Sequence, residues 1–169
     1  MRIHITPEAA ELRRTIAPSV WGPGARWPQL ANAYLPGDEY SVDVLCDEGR
    51  VLASVVRRRD AAVGGLATTA QVVDEPDVDA AAREVVEAVG LSHVANVQFR
   101  RDAEGAPRLL EINPRTPGTI GLSVAAGFNL PLAAFARALG GELELPPAPR
   151  YGLSCFRYQG MVLSDGRNG

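Results

Sequence analysis

Two stretches leave this chain little freedom in how it folds. "EYSVDVLC" (39–46) alternates in character, breaks at Asp47-Glu48-Gly49, and resumes as "RVLASVVRRR" (50–59). Alternation sends successive side chains to opposite faces of a strand, and the acidic pair before glycine marks a turn, so the two halves form a β-hairpin. "HVANVQFRRDAEGAPRLLEIN" (93–113) reads as a second hairpin, turning near Glu104-Gly105. Between them, "DVDAAAREVVEAVGL" (77–91) is an amphipathic helix with Ala81, Val85, Ala88 and Val89 along one side and Gly90 at its end.

The remaining segments fit around these. "RIHI" (2–5) reads as a short strand, and "TPEAAELRRTI" (6–16) as a helix capped by Thr6 with Pro7 at its first position. "APSVWGPGARWP" (17–28) is a loop, and Pro36-Gly37 interrupts the strand that begins near Leu30. "DAAVGGLATTAQVVDEP" (60–76) opens as a loop around Gly64-Gly65. Residues 119–141 form two short helices parted near Asn129–Pro131, and "LPPAP" (145–149) leads into a last strand within 151–163.

At 169 residues the chain is long enough for one domain with its own core. A net charge of -3 gives no electrostatic reason to expect nucleic acid or an acidic membrane as partner. No apolar run approaches the roughly 20 residues that cross a bilayer, and "MRIHITPEAAEL" has no apolar core of a secretory signal. Cys46 and Cys155 lack metal-type spacing and suit a reducing, cytoplasmic setting as small buried hydrophobes. All 17 basic residues are arginine, so no lysine ammonium is available for a phosphate or a Schiff base.

The chemistry concentrates on the second hairpin. Leu109, Glu111 and Asn113 share one face by alternation, as do Asn96, Gln98 and Arg100. With the turn centred between Glu104 and Gly105, residues whose numbers sum to 209 stand opposite one another, which pairs Gln98 with Glu111. Their Cβ atoms would lie about 5 Å apart, with Asn113 roughly 6–7 Å further along the face. Oxygen donors with a single charge among them suit Mg²⁺ (or Mn²⁺) shared with substrate phosphates, and Arg115 offers a planar fork to a phosphate or carboxylate. Spacing alone equally allows a solvated cross-strand pair, a turn-forming Asn113 before Pro114, and a surface Arg115. His4 and His93 are remote from these residues and take ordinary structural roles.

"YLPGDEYSVDVL", "NVQF" and "LLEINPRTPGT", in this order and at these separations, resemble the ATP-grasp family, most nearly members similar to the carbamoyl-phosphate synthetase large subunit and related amino-acid ligases. The resemblance spans about residues 1 to 159. It implies an α+β fold: the C-terminal ATP-grasp subdomain, mainly antiparallel sheet flanked by helices, over 31–160, with the tail of the preceding subdomain and a linker in 1–30. It implies Gln98, Glu111 and Asn113 as magnesium ligands, with Asn113 also facing the nucleotide. Glu39 would accept the ribose hydroxyls, and the segment with Tyr34 and Leu35 would form the adenine hinge. Ala33 falls where the family usually has an acidic residue. Arg115 would neutralise the transferred phosphoryl group. Among Arg57, Arg58 and Arg59 one arginine would point toward the phosphate or acyl-acceptor pocket; Arg57 and Arg59 share a face that Arg58 opposes and are the candidates, and the sequence leaves open which side chain points inward.

The implied reaction is phosphoryl transfer from ATP to a carboxylate, giving an acyl phosphate that an amine attacks, with amino-acid-like substrates. Such catalysis rests on positioning and charge neutralisation. The family's lysines and glycine-rich flap belong to the first subdomain, so the expectation is that Met1 opens partway through the fold and that the chain is inactive without a missing N-terminal half or partner chain. The alternative is a non-catalytic remnant or interaction module. Apolar surface bared by the missing subdomain leads to an expectation of self-association.

Overall fold

The computed structural model of the protein describes residues 33–63 and 66–157. The strand, helix and loop expected within 2–28, the Gly64-Gly65 pair, and any continuation of the last strand beyond 157 lie outside the described residues. The described residues from Pro36 onward belong to one compact unit. Its elements are β1 (Glu39–Asp47), β2 (Arg50–Val63), β3 (Leu66–Val72), α1 (Pro76–Val89), β4 (His93–Arg101), β5 (Pro107–Asn113), α2 (Ile120–Ala125), α3 (Leu130–Ala138) and β6 (Ser154–Phe156).

The strands form one antiparallel sheet in the order β5-β4-β1-β2-β3-β6. Glu48 and Gly49 join β1 to β2 with positive φ values of 45° and 83°, the backbone a tight hairpin of matching twist requires. Where a loop was expected after Asp60, β2 instead runs on to Val63 and pairs with β3. Asp60 and the alanines at 61, 62, 67 and 70 carry little strand propensity of their own, and pairing with a neighbour decides such segments.

One face of the sheet is a conventional core. Tyr40, Val42, Val44 and Cys46 of β1, with Ala95, Val97 and Phe99 of β4, pack against Val78, Ala82 and Val86 of α1. Each of those two α1 valines is fully buried, a gain of about 2 kcal/mol apiece. The inward stripe is therefore Val78-Ala82-Val86. Of the expected residues, Ala81 and Val85 pack at its margin, while Ala88 and Val89 are exposed. Gly90 ends the helix in the left-handed conformation, φ 70°.

The opposite face is divided. Leu45, Val55, Ala70 and Val72 are covered by Leu122, Ala126, Phe128, Leu130 and Ala133 of the α2–α3 segment. These two short helices part at 126–129, and Asn129 caps the second, its side chain accepting from the Leu132 N–H at 3.1 Å. The rest of this face is polar. Among the described residues, no helix is long and apolar enough to cross a membrane.

Candidate functional site

Cross-strand register arranges the polar part of this face in rows. The first runs Arg100–Glu39–Arg59 across β4, β1 and β2. The second runs Glu111–Gln98–Ser41–Arg57 from β5 to β2, and the third Asn113–Asn96–Asp43–Val55. Paired residues of antiparallel strands share a face, so the three rows form one surface, closed by apolar packing on its Val55 side.

Gln98 does stand opposite Glu111, but the strands reach that register by two departures that cancel. Near the turn Phe99 pairs with Leu109 and Arg101 with Pro107, one residue tighter than expected. β5 then carries Leu110 as an extra residue in a bulge, after which Gln98–Glu111, Val97–Ile112 and Asn96–Asn113 follow. Leu109 thereby pairs with Phe99 of the core face and does not share the face of Glu111, because a bulge reverses the alternation.

Hydrogen bonds link the rows. Gln98 Nε2 donates to Glu111 Oε1 at 2.7 Å and to Asn96 Oδ1 at 3.2 Å, and Asn113 Nδ2 donates to the same Glu111 oxygen at 2.8 Å. Arg59 Nη1 donates to Gln98 Oε1 at 2.7 Å and pairs closely with Glu39, whose other oxygen lies 3.8 Å from Arg100. Beside this pair, a cleft of about 400 Å³ is lined by Gly37, Asp38, Glu39, Arg59, Asp60 and Arg100. Gly37 is forced there: a Cβ would sit 2.7 Å from Arg101 Cβ and 2.9 Å from the Arg101 carbonyl. Arg115 is exposed, with Nη2 3.4 Å from Asn113 Oδ1. Tyr34 is 60% exposed and Leu35 half-buried, both ahead of the compact unit and outside any strand. A second cleft, about 430 Å³ and lined by Ser54, Glu75, Asp79, Arg83 and Tyr151 among others, contains none of these residues.

Arg57 lies on the same face as Arg59, yet its side chain is fully buried. Its Nη2 donates to Asp43 Oδ1 at 2.6 Å and its Nη1 to Thr119 Oγ1 at 2.6 Å. Asp43, also fully buried, accepts from Asn96 Nδ2 at 2.8 Å and from Ser123 Oγ at 2.6 Å as well. The sequence reading missed the roles of Asp43, Asn96, Ser123 and Thr119. A carboxylate inside "SVDVL" and an amide inside "VANV" were the available signals, since a buried polar group requires partners. Ser123 and Thr119 become visible only when α2 docks. Arg58, on the other face, pairs with Asp60 at 2.7 Å.

Resolved pKa shifts fall outside these rows. The Arg101 guanidinium holds the Asp77 carboxyl below its ordinary value, and that bond in turn keeps Arg101 firmly charged. Burial pushes the Cys46 thiol up, and both cysteines are free.

Among the described residues, no group of three or more His, Cys, Asp and Glu side chains is placed to hold a cation. The donors at the β4–β5 end are Glu111 with the amides of Gln98 and Asn113. That composition fits a hard divalent cation whose remaining ligands are phosphate oxygens and water. Both amides turn nitrogen toward Glu111, and a 180° turn of either would present oxygen instead.

A family model described as ATP-grasp in the biosynthetic pathway with Ter operon matches residues 26–160. The chain belongs to the ATP-grasp family. It is 36% identical over 149 residues to carnosine synthase 1 of Gallus gallus, covering 79% of this chain and 16% of that protein. The chain thus spans about a sixth of the length of this relative. The L-amino acid ligase of Bacillus licheniformis has a similar fold, with TM-score 0.55 and 18% identity over 76% of this chain and 35% of that one. So has the biotin carboxylase domain of Hydrogenobacter thermophilus 2-oxoglutarate carboxylase, solved with MgADP and bicarbonate, with TM-score 0.52 and 18% identity over 65% of this chain and 26% of that one. The α+β architecture, a mainly antiparallel sheet with flanking helices, is the fold that this chain shares with these solved structures.

Proposed function

We propose that this ATP-grasp chain supplies the magnesium- and nucleotide-binding surface of an ATP-dependent ligase that joins a carboxylate to an amine, working in the cytoplasm. The observation that supports the reading is the meeting of Gln98, Glu111 and Asn113 on two adjacent strands, one row away from the Glu39–Arg59 pair and its cleft. Amino-acid-like substrates are inferred from the likeness to carnosine synthase 1 and to the L-amino acid ligase.

In this reading Glu111 holds the cation, and Asn113 and Gln98 join it by turning their amides to present oxygen, Gln98 giving up its bond from Arg59. When bound, Mg²⁺ draws charge from the ATP phosphates and fixes their orientation. Glu39 accepts the ribose hydroxyls beside the Gly37–Glu39 cleft, in exchange for its bond to Arg59. The guanidinium released there is available for phosphate charge, and the exposed Arg115 neutralises the phosphoryl group as it passes to the carboxylate. The amine then displaces phosphate from the acyl phosphate, forming the C–N bond and releasing inorganic phosphate. Because the chain has no lysine, we propose that lysine ammonium groups contacting the α- and β-phosphates come from another domain or partner chain, and that this chain alone is inactive.

The reading is tested by ADP release from the chain joined to such a domain or partner, over a panel of carboxylates and amines. Release that needs both a carboxylate and an amine supports it. No release with any pair refutes it and leaves a non-catalytic interaction module.

A further inference from the structure

We infer that Arg57 and Asp43 are positioning residues: they anchor the 113–119 loop and so set where Asn113 and Arg115 stand relative to Glu111 and Gln98. The inference rests on the proposed phosphate-binding role of that surface for its consequence, but its geometry stands independently. A group that touched substrate would present its guanidinium to the cleft. Arg57 instead directs both Nη groups inward, to Asp43 and to Thr119, and its Nε has no acceptor among the described residues.

Thr119 is the informative partner. It occupies the cap position of α2, where a threonine hydroxyl ordinarily accepts from an N–H of the first turn. Here it makes no such bond, and its oxygen receives Arg57 at 2.6 Å. One turn on, Ser123 donates to Asp43 at 2.6 Å. α2 is thus fastened to β2 through Thr119 and to β1 through Ser123, and Thr119 is where the loop that leaves β5 at Asn113 ends. From β4, Asn96 donates its Nδ2 to the Asp43 oxygen that also receives Arg57, which leaves the Asn96 Oδ1 to accept from Gln98 Nε2 at 3.2 Å. An ionised carboxylate can only accept, so it dictates that amide orientation. One buried anion is therefore bonded both to Asn96 of β4, beside Gln98, and to Ser123 of α2, the helix that follows the loop after β5.

The test uses Thr119→Val, which keeps the shape of the side chain and removes only the acceptor. Affinity of the chain for manganese–ATP is measured for this variant, for Arg115→Ala, and for the double variant. Partners of this outer kind typically alter metal-site affinity tenfold or more, so Thr119→Val is expected to weaken binding about tenfold. The double variant is expected to bind no more weakly than Arg115→Ala, since both changes act through one loop. A Thr119→Val affinity within about twofold of the parent, or losses that multiply in the double variant, overturns the inference. Amide exchange at Arg115, Ile120 and Leu122 gives a readout without ligand. It is expected to quicken in Thr119→Val while β1 and β4 stay protected, and unchanged exchange likewise overturns the inference. If the parent chain binds no manganese–ATP, it is the proposed function that fails, and exchange alone decides the anchoring.

Discussion

Removing Asp43 while keeping Arg57 should be among the most damaging single changes this sheet can suffer. Asp43→Ala deletes a carboxylate that receives hydrogen bonds from Arg57, Asn96 and Ser123, and leaves a guanidinium buried with no counter-charge among the described residues. Breaking one side of a buried pair costs about 3–5 kcal/mol, a large share of the 5–15 kcal/mol that typically stabilises a domain. For a chain of this size the melting temperature should fall by about 10 °C or more. Replacing both partners with apolar groups, as in Asp43→Leu with Arg57→Met, removes the stranded charge. What remains is two polar side chains without their acceptor, about 1 kcal/mol each. The double variant should therefore be more stable than the single one. Urea unfolding of the two variants and the parent measures this directly. A single variant within about 1 kcal/mol of the parent, or a double variant less stable than the single, refutes the argument that the pair is buried and mutually dependent.

Leu130→Ala, at a fully buried position in the apolar cluster that α2 and α3 form against the sheet, should cost about 2–5 kcal/mol, whereas Val89→Ala, 57% exposed at the end of α1, should stay within about 0.5 kcal/mol; denaturant unfolding distinguishes them. The Asp77 carboxyl should titrate below its ordinary value of 3.8 because Arg101 is bonded to it. A depressed native pKa makes its contribution present above the unfolded value and lost as pH falls through the native one, so the stability change lies below about pH 4. Carboxyl NMR should show Arg101→Gln returning the midpoint toward 3.8; no movement would refute the assignment. Iodoacetamide should label Cys155 before Cys46, whose thiol is buried and raised. Gly37→Ala should displace the Pro36–Asp38 segment from Arg101, and mapping by backbone amide shifts checks whether the change is confined to that cleft. Sedimentation tests the expected self-association, to which the exposed Leu132 and Phe135 of α3 and Leu139 just after it lend support; a monomer at high concentration would count against it.

Much of this architecture was legible in the residues because its signals are local. Alternation in "EYSVDVLC" set Glu39, Ser41 and Asp43 on one face, and acidic-residue–glycine turns set the hairpins. The Gln98–Glu111 pairing was reached although its premise was off by one, since the bulge at Leu110 restored the register that the tighter turn had shifted. Bulges depend on strand coiling and leave no dependable mark in a short sequence. The α1 face was misjudged because 3.6-residue periodicity in "DVDAAAREVVEAV" admits two overlapping apolar stripes, and only the position of the sheet selects Val78-Ala82-Val86. Arg57 and Arg59 look alike in "RRR". What separates them is the docking of α2, which brings Thr119 and Ser123 over one arginine and leaves the other beside Glu39.

The account depends most on whether Glu111 and its neighbours hold a divalent cation together with ATP. Manganese–ATP titration of the parent chain and of Glu111→Gln, followed by electron paramagnetic resonance, addresses that point. The account predicts a bound manganese signal for the parent that weakens at least about tenfold in the variant while the fold is retained. Equal binding by the two proteins would contradict it.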